Sequence, residues 1–135
     1  MAKPETTFTT SVHNHLPPGR RAPYWMKNNN LYTSGIWDVW YSGAARDLWV
    51  EYKFTTMPKR ADTLVDVTLS PLQVDWGMDR HEEGRDLAVI VGFKEGGIIL
   101  LHREWEEPIT QAEAIARLMS RKEIAQWIID VTNEG

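Results

Sequence analysis

Two acidic residues and a lysine stand close together in the first half of the chain: Asp38, then Glu51 and Lys53. Residues two apart on a strand point to one face, and an antiparallel hairpin turning at 42–45 would bring Asp38 beside them. Carboxylate oxygens are the ligands that Mg²⁺ and Mn²⁺ prefer, and a lysine stabilises negative charge on phosphate. The spacing therefore indicates a metal site that acts on a phosphodiester, with the carbonyl of Tyr52 as a further ligand.

The same residues have an ordinary explanation. A Glu-x-Lys pair is often a solvated strand face, and Asp38 could be one more surface acid. Three features favour a site: the strand around Glu51 is otherwise strongly apolar, an acid precedes it at hairpin distance, and a capped helix bearing Gln73 follows. Gln73 has two interpretations of its own, since it could serve the site, complete its helix cap, or do both.

The elements that position these residues follow from the hydrophobic pattern. Residues 36–41 and 47–54 are aromatic and β-branched runs that predict an antiparallel hairpin. Ser70 and Gln73 form a capping-box signal, and they predict a helix that ends at Gly84.

The rest of the chain predicts two more strands and two more helices. The apolar run 87–93 is typical of a buried central strand, and residues 98–102 follow it after a glycine turn. Capping boxes at Thr110 and Ser120 begin two C-terminal helices. The order predicts an α/β fold in which a mixed central β-sheet is flanked by helices.

A length of 135 residues fits one domain, 1–135. We expect an irregular N-terminal arm over 1–35, a catalytic core over 36–102 and helices over 108–135. There is no cysteine, which excludes disulfides and thiolate metal sites. No apolar run is long enough for a signal peptide or a membrane span, so we expect a cytoplasmic protein with no membrane partner.

The net charge of -4 counts against a nucleic-acid partner, but binding depends on local clusters of basic residues. Singly, each basic residue is more often a solvated charge. The candidate phosphate contacts are Arg20, Arg21, Lys27, Lys59 and Arg60. Two histidines, His13 and His15, are possible additional metal ligands or phosphate contacts, and exposed polar residues are an equally good interpretation.

Four segments together resemble the PD-(D/E)XK nuclease superfamily, most closely its VRR-NUC and Holliday-junction-resolvase-like branch, in small proteins of the kind that phages encode. The segments are Gly35–Asp38, Trp49–Lys53, Leu69–Gln73 and Leu87–Gly92. The resemblance implies a restriction-endonuclease-like core and a Mg²⁺ or Mn²⁺ cofactor. It also implies catalytic roles as follows: Asp38 and Glu51 bind metal, Lys53 is the catalytic lysine, and Gln73 is the glutamine that some branches place on the helix beside the site.

The sequence departs from this family pattern in two places. Trp37 stands where the family usually has proline. Many members also carry an acid on the first helix, where this chain has His13, Asn14 and His15, and Glu5 lies further away. The third metal ligand is therefore missing from its expected place.

These features predict a metal-dependent DNA endonuclease, possibly one that cuts branched or structured DNA. If the protein was phage-encoded, it would work in the host cytoplasm. The alternatives are an inactive DNA-binding or protein-interaction module with a nuclease fold, and an inhibitor that mimics an acidic surface. Resolvase-like nucleases commonly act as dimers, so a homodimer is possible. Its candidate anchors, which could equally be core residues, are Trp76, Trp105 and Trp127.

Overall fold

A computed structural model of the chain describes residues 3–18, 23–28 and 35–134. Over these residues the chain forms helices, strands and one short 3₁₀ turn at Glu104–Glu106. The helices are α1 Pro4–His13, α2 Pro71–Glu82, α3 Gln111–Ala116 and α4 Arg121–Asn133. The strands are β1 Tyr24–Lys27, β2 Val39–Ser42, β3 Asp47–Phe54, β4 Leu87–Phe93 and β5 Gly96–Leu101.

The strands form one five-stranded sheet in the order β1-β2-β3-β4-β5. Neighbouring strands are antiparallel except β3 and β4, which are parallel. A parallel pair needs a crossover connection, and the segment containing α2 supplies it. The prediction of an α/β fold with a mixed central sheet flanked by helices is therefore confirmed.

The alternation of β3 separates the two faces of the sheet. Leu48, Val50 and Tyr52 are buried in the cluster that α1 and α4 cover. Trp49 lies on the opposite face, where its ring packs against Trp76 of α2 with centroids 5.0 Å apart. Side chains that alternate with the first set, including Glu51 and Lys53, therefore point toward α2.

The predicted capping signals are all present. The side chains of Ser70, Thr110 and Ser120 each accept a hydrogen bond from the backbone N–H of the third helical residue. The side chain of that third residue in turn accepts a hydrogen bond from the backbone N–H of the cap residue. Gly84 follows α2 with φ +83°, a left-handed conformation that glycine adopts without steric cost. Two strands differ from the prediction at both ends: β2 is Val39–Ser42 instead of 36–41, and β5 is Gly96–Leu101 instead of 98–102.

The prediction of an irregular arm over 1–35 is wrong, because α1 and β1 both lie within it. Phe8 and Val12 are fully buried against the sheet, and this i,i+4 pair docks α1. All four residues of β1 are exposed, so this strand does not alternate between buried and exposed side chains. Its backbone pairing with β2 holds it in the sheet. Arg20 and Arg21 lie outside the described residues.

The tryptophans proposed as dimer anchors pack within the chain. Trp105 is buried, with its ring edge-on to Trp37 at 5.2 Å, so its role as an interface anchor is wrong. Trp76 packs against Trp37 and Trp49, and Trp127 packs against the α1 and α4 cluster. The homodimer stays a prediction. No helix in the described part of the chain has the length and apolar character needed to span a membrane.

Candidate active site

The register of the hairpin places Asp38 beside Glu51. Val39 pairs with Val50, so one step further along both strands Asp38 falls opposite Glu51. The backbone N–H of Tyr52 donates to Asp38 Oδ2 at 3.4 Å, and the Asp38 carbonyl accepts a bond from the Asn28 N–H. The structure thus brings the two predicted acids together at the end of β2.

The carboxylate of Glu51 is almost completely buried, with 2% of its surface exposed. Its Oε2 accepts a hydrogen bond from Gln73 Nε2 at 3.0 Å and lies 3.5 Å from Lys53 Nζ. Its Oε1 is also buried, and none of the described residues donates to it. Burial, followed by the charge of Asp38, raises the pKa of Glu51 to about 8, against the opposing effect of Lys53. A buried carboxylate oxygen without a donor is costly, and a cation would satisfy it.

Gln73 serves the helix cap and the site together. Its Oε1 accepts from the Ser70 N–H at 2.9 Å and from Lys53 Nζ at 3.2 Å. Its Nε2 donates to Glu51, as described above. One amide side chain therefore fixes both the lysine and the buried acid relative to the first turn of α2.

Trp37 packs against the helix that carries Gln73 and forms a hydrogen bond with it. Its ring is fully buried, and its indole N–H donates to the Gln73 carbonyl at 2.9 Å. A Cβ added at Gly77 would lie 2.4 Å from the Trp37 ring, so α2 can approach this closely only with glycine there. Trp37 thus positions α2 over β3.

A third acid, Glu5, reaches the site from the first turn of α1. Its carboxyl group shares a hydrogen bond with that of Asp38. Burial, followed by the charge and hydrogen bond of Asp38, raises the pKa of Glu5 to about 7, while Lys53 and Lys27 oppose the shift. The expectation that the first helix lacks its acid is therefore wrong. The signal that locates it is Pro4 followed by Glu5, a typical start of a helix.

His13 lies on the other face of the sheet, in contact with tyrosines. Its Nε2 is 2.7 Å from Tyr41 Oη, which is 2.6 Å from Tyr52 Oη, and its ring stacks on Trp25 at 4.0 Å. Burial, followed by the charge of Lys27, lowers the pKa of His13 to about 4. His13 is thus partly buried rather than exposed, and its roles as a metal ligand or phosphate contact stay predictions. His15 is exposed after α1.

The predicted phosphate contacts are divided in space. Lys27 ends β1 and is exposed, and its charge acts on both Glu5 and His13. Lys59 and Arg60 are exposed in the connection between β3 and α2, where Arg60 Nε is 3.6 Å from Asp62 Oδ1. The charge of Lys27 therefore reaches one acid of the site, and the role of all these residues as phosphate contacts stays a prediction.

The donor set fits a hard divalent metal ion with few protein ligands. Across residues 3–18, 23–28 and 35–134, no group of three or more His, Asp or Glu side chains is arranged to hold a metal ion as it stands. Mg²⁺, however, usually takes one or two carboxylates and fills its shell with water and substrate phosphate. Asp38 and Glu51 supply two carboxylates, and Glu51 Oε1 is unpartnered among the described groups. The Tyr52 side chain is on the opposite face, which leaves its backbone carbonyl for the predicted role.

A Gln73→Glu substitution separates the cap from the site. The new carboxylate keeps an acceptor for Ser70 and Lys53, but it replaces the N–H donor to Glu51 with an oxygen. We expect a loss of about 1–3 kcal/mol in the free energy of unfolding at pH 8, where the two acids repel, and a smaller loss at pH 5. Urea denaturation with EDTA at both pH values measures this. Ser70→Ala is the matched control, since it removes the cap at a cost of about 1 kcal/mol at either pH. Equal losses at pH 5 and pH 8 for Gln73→Glu would contradict its contact with Glu51.

Comparison with known proteins places this site on a recognisable fold. The sequence matches no protein-family model and no curated protein. Among solved structures, the chain is similar to Hjc of Archaeoglobus fulgidus, a Holliday junction resolvase from an archaeal hyperthermophile, with a TM-score of 0.54 and 12% sequence identity. The match covers 92% of this chain and 97% of the resolvase. The chain therefore shares the fold of that protein over nearly its whole length. Membership of the PD-(D/E)XK superfamily, the VRR-NUC branch and a phage origin stay predictions.

Proposed function

We propose that the protein is a metal-dependent nuclease that hydrolyses phosphodiester bonds in DNA, with branched or structured DNA as its substrate. One observation carries the proposal: the buried Glu51 carboxylate keeps one oxygen without a donor among the described residues, directly beside Lys53 and Asp38. A fold without a cation or phosphate to bind gains nothing from this costly arrangement. The resolvase fold supports a role on branched DNA.

Asp38 and Glu51 are the proposed ligands of a Mg²⁺ or Mn²⁺ ion, with the Tyr52 carbonyl and Glu5 as further oxygen donors. When bound, the metal polarises the scissile phosphate and makes an attacking water more acidic. Glu5 and Asp38 already share a hydrogen bond, so the two acids approach closely before any ligand arrives. Burial, followed by this proximity, raises the pKa of Glu5, and a cation would relieve the repulsion between the two acids.

Lys53 is the proposed catalytic lysine. Its ammonium group is held between Glu51 Oε2 at 3.5 Å and Gln73 Oε1 at 3.2 Å, so it is oriented before the substrate binds. A cation fixed in this way stabilises negative charge that develops on the phosphate oxygens. Gln73 is then a positioning residue that acts through Lys53 and Glu51.

The remaining parts of the proposal concern the substrate and the assembly. Lys27 is the proposed phosphate contact nearest the carboxylates, because its charge already acts on Glu5. Lys59 and Arg60 are proposed to bind the DNA backbone. The same role is proposed for Arg20 and Arg21, which are outside the described residues. A homodimer would place two sites on two strands of a junction, in the cytoplasm of the producing or host cell.

Cleavage assays on a panel of DNA substrates test the proposal. We expect the purified protein to cut a labelled four-way junction with Mg²⁺ or Mn²⁺ at least about tenfold faster than a continuous duplex, and to cut neither with EDTA. Single-stranded and plasmid DNA complete the panel. If no substrate is cut with either metal at any protein concentration, the enzymatic proposal fails.

The second candidate is a nuclease fold that binds DNA or a protein without catalysis. The observation that favours it is the lack, among the described residues, of three ligand side chains arranged for a metal. It predicts binding that is unchanged by Asp38→Ala and by EDTA. The nuclease proposal predicts that Asp38→Ala abolishes cleavage, so the same variant distinguishes the two.

A further inference from the structure

A row of large apolar side chains crosses β1, β2 and β3 on the face that carries the carboxylates. Met26 is paired directly with Trp40, and Trp40 with Trp49. Trp49 alternates with Val50, so it lies on the same face as Glu51. The Tyr24 ring meets Trp40 edge-on at 5.9 Å. We call these four residues, Tyr24, Met26, Trp40 and Trp49, the aromatic patch.

The aromatic patch is open to solvent where β1 forms the edge of the sheet. Tyr24 is 63% exposed and Met26 is 55% exposed, although such side chains are usually covered. The Trp40 ring is held in place because its indole N–H donates to Asp47 Oδ2 at 3.0 Å. A cavity of about 310 Å³ adjoins the patch, and its lining includes Met26, Trp40 and Trp49. The patch is thus a fixed aromatic wall next to a space.

The aromatic patch lies next to the proposed catalytic groups. Asp38 precedes Trp40 by two residues, and Glu51 follows Trp49 by two, a distance of roughly 7 Å along each strand. Lys27 also borders the cavity, but it pairs with Val39, so its side chain belongs to the opposite face of the sheet together with Trp25. An aromatic patch directly beside a proposed phosphate site matches one strand of nucleic acid, in which charged phosphates alternate with flat bases.

From this arrangement we infer that the aromatic patch binds unpaired nucleobases next to the phosphate at the carboxylates. The inference rests on the proposed function and narrows its substrate to DNA with unpaired nucleotides beside a duplex, such as an open junction, a flap or a gap. Bases in a continuous duplex are already stacked and cannot lie on a side chain. Aromatic rings that continue into the carboxylates and Lys53 fit this occupant better than a protein surface, which would not explain the adjoining charged groups.

Binding measurements without cleavage test the inference. Fluorescence anisotropy would compare a labelled continuous duplex with the same duplex carrying a gap of about four nucleotides, first with EDTA and then with Ca²⁺. We expect the wild-type protein to bind the gapped DNA at least about tenfold more tightly. The double variant Tyr24→Ser, Met26→Ser removes two exposed side chains and should lower this preference about fivefold or more. Trp40→Leu should lower it more, and Trp40→Phe should retain it.

Trp25→Ser is the matched control, because Trp25 is an aromatic residue of the same strand on the opposite face, where it stacks on His13. We expect it to leave the preference unchanged, and melting curves show that each variant is folded. Equal wild-type affinity for both DNAs, or a preference that survives in the double variant and in Trp40→Leu, overturns the inference. A third result would also overturn the inference: light scattering shows a dimer, the double variant dissociates it, and the DNA preference persists. A second copy of the chain would then be what covers the aromatic patch.

Cleavage of the gapped DNA with Mg²⁺ distinguishes this inference from the proposed function. A preference without cleavage supports the aromatic patch and contradicts the nuclease. Cleavage without a preference contradicts the aromatic patch and supports the nuclease.

Discussion

Glu51→Gln is expected to lower DNA cleavage by about 10³-fold or more. Glutamine has nearly the same shape, and its carbonyl can still accept the hydrogen bond that Gln73 Nε2 gives to Glu51 Oε2. The substitution removes the negative charge and one of the two carboxylates that would hold the metal. A metal that polarises phosphate is worth several kcal/mol of transition-state stabilisation, and each 1.4 kcal/mol is a factor of ten in rate. Single-turnover cleavage of a four-way junction measures the loss.

The matched control is Glu82→Gln, which removes an exposed acid from α2, the helix that carries Gln73. Its cleavage rate should stay within about twofold of the wild type, as for most exposed substitutions. Circular dichroism establishes that both variants fold. If Glu51→Gln cuts within about tenfold of the wild-type rate, the buried carboxylate is a structural group and the nuclease proposal loses its main support.

The sequence predicts the middle of this fold well because its local signals agree with its packing. β3 alternates between the two faces, α2 begins at a capping box, and β4 is apolar throughout. Each signal depends on residues that are neighbours in the chain. The juxtaposition of Asp38 with Glu51 follows from the same hairpin register, which is why these positions could be placed without coordinates.

The first helix is where the sequence signals fail. α1 reads PETTFTTSVH, and its β-branched threonines have low helix propensity. Its stability comes from burying Phe8 and Val12 against the sheet, which is a tertiary effect. Without that helix, Glu5 is simply an acid near the N-terminus. Its approach to Asp38 depends on how α1 docks, and no spacing along the chain contains that information.

Trp37 shows the same limit for packing. Its place in the sequence identifies a departure from a family pattern, but its effect depends on contacts with α2. The indole donates to Gln73 O, and the ring fills the space that Gly77 leaves open. Trp37 is not a proposed metal ligand, but it can therefore set the position of Gln73, which contacts Glu51 and Lys53.

The second large effect concerns the protein without metal: its stability should fall as pH rises from about 4.5 to 8. Glu51 releases its proton near 4.5 in the unfolded chain but only at about 8 in the folded protein, mainly because it is buried. The folded state therefore holds more protons through this window. The stabilisation is complete below the unfolded pKa and is lost as pH rises through the folded pKa. Glu5, with a pKa of about 7, acts in the same direction.

His13 has the opposite dependence. Its pKa is lowered from 6.5 to about 4 because it is buried, so its contribution is present above 6.5 and is lost as pH falls toward 4. The wild-type profile is therefore a sum of opposing effects. The difference between wild type and Glu51→Gln isolates the acid, because His13 is the same in both proteins.

Glu51→Gln should thus be more stable than the wild type at pH 8 by about 2 kcal/mol or more, and nearly equal to it at pH 5, since a pKa change of one unit corresponds to about 1.4 kcal/mol. Urea denaturation with EDTA at pH 5, 6, 7 and 8 measures both profiles. The control variant Glu95→Gln, at the exposed turn between β4 and β5, should follow the wild type.

Mn²⁺ in place of EDTA should stabilise the wild type at pH 8 and have a much smaller effect on Glu51→Gln, because the charge that a cation neutralises is gone. Parallel pH profiles for the two proteins would show that the carboxylate is not strained in the fold. A gain in stability on losing this acid, together with the loss of cleavage, is the pattern expected where a fold tolerates a costly group for the sake of its chemistry.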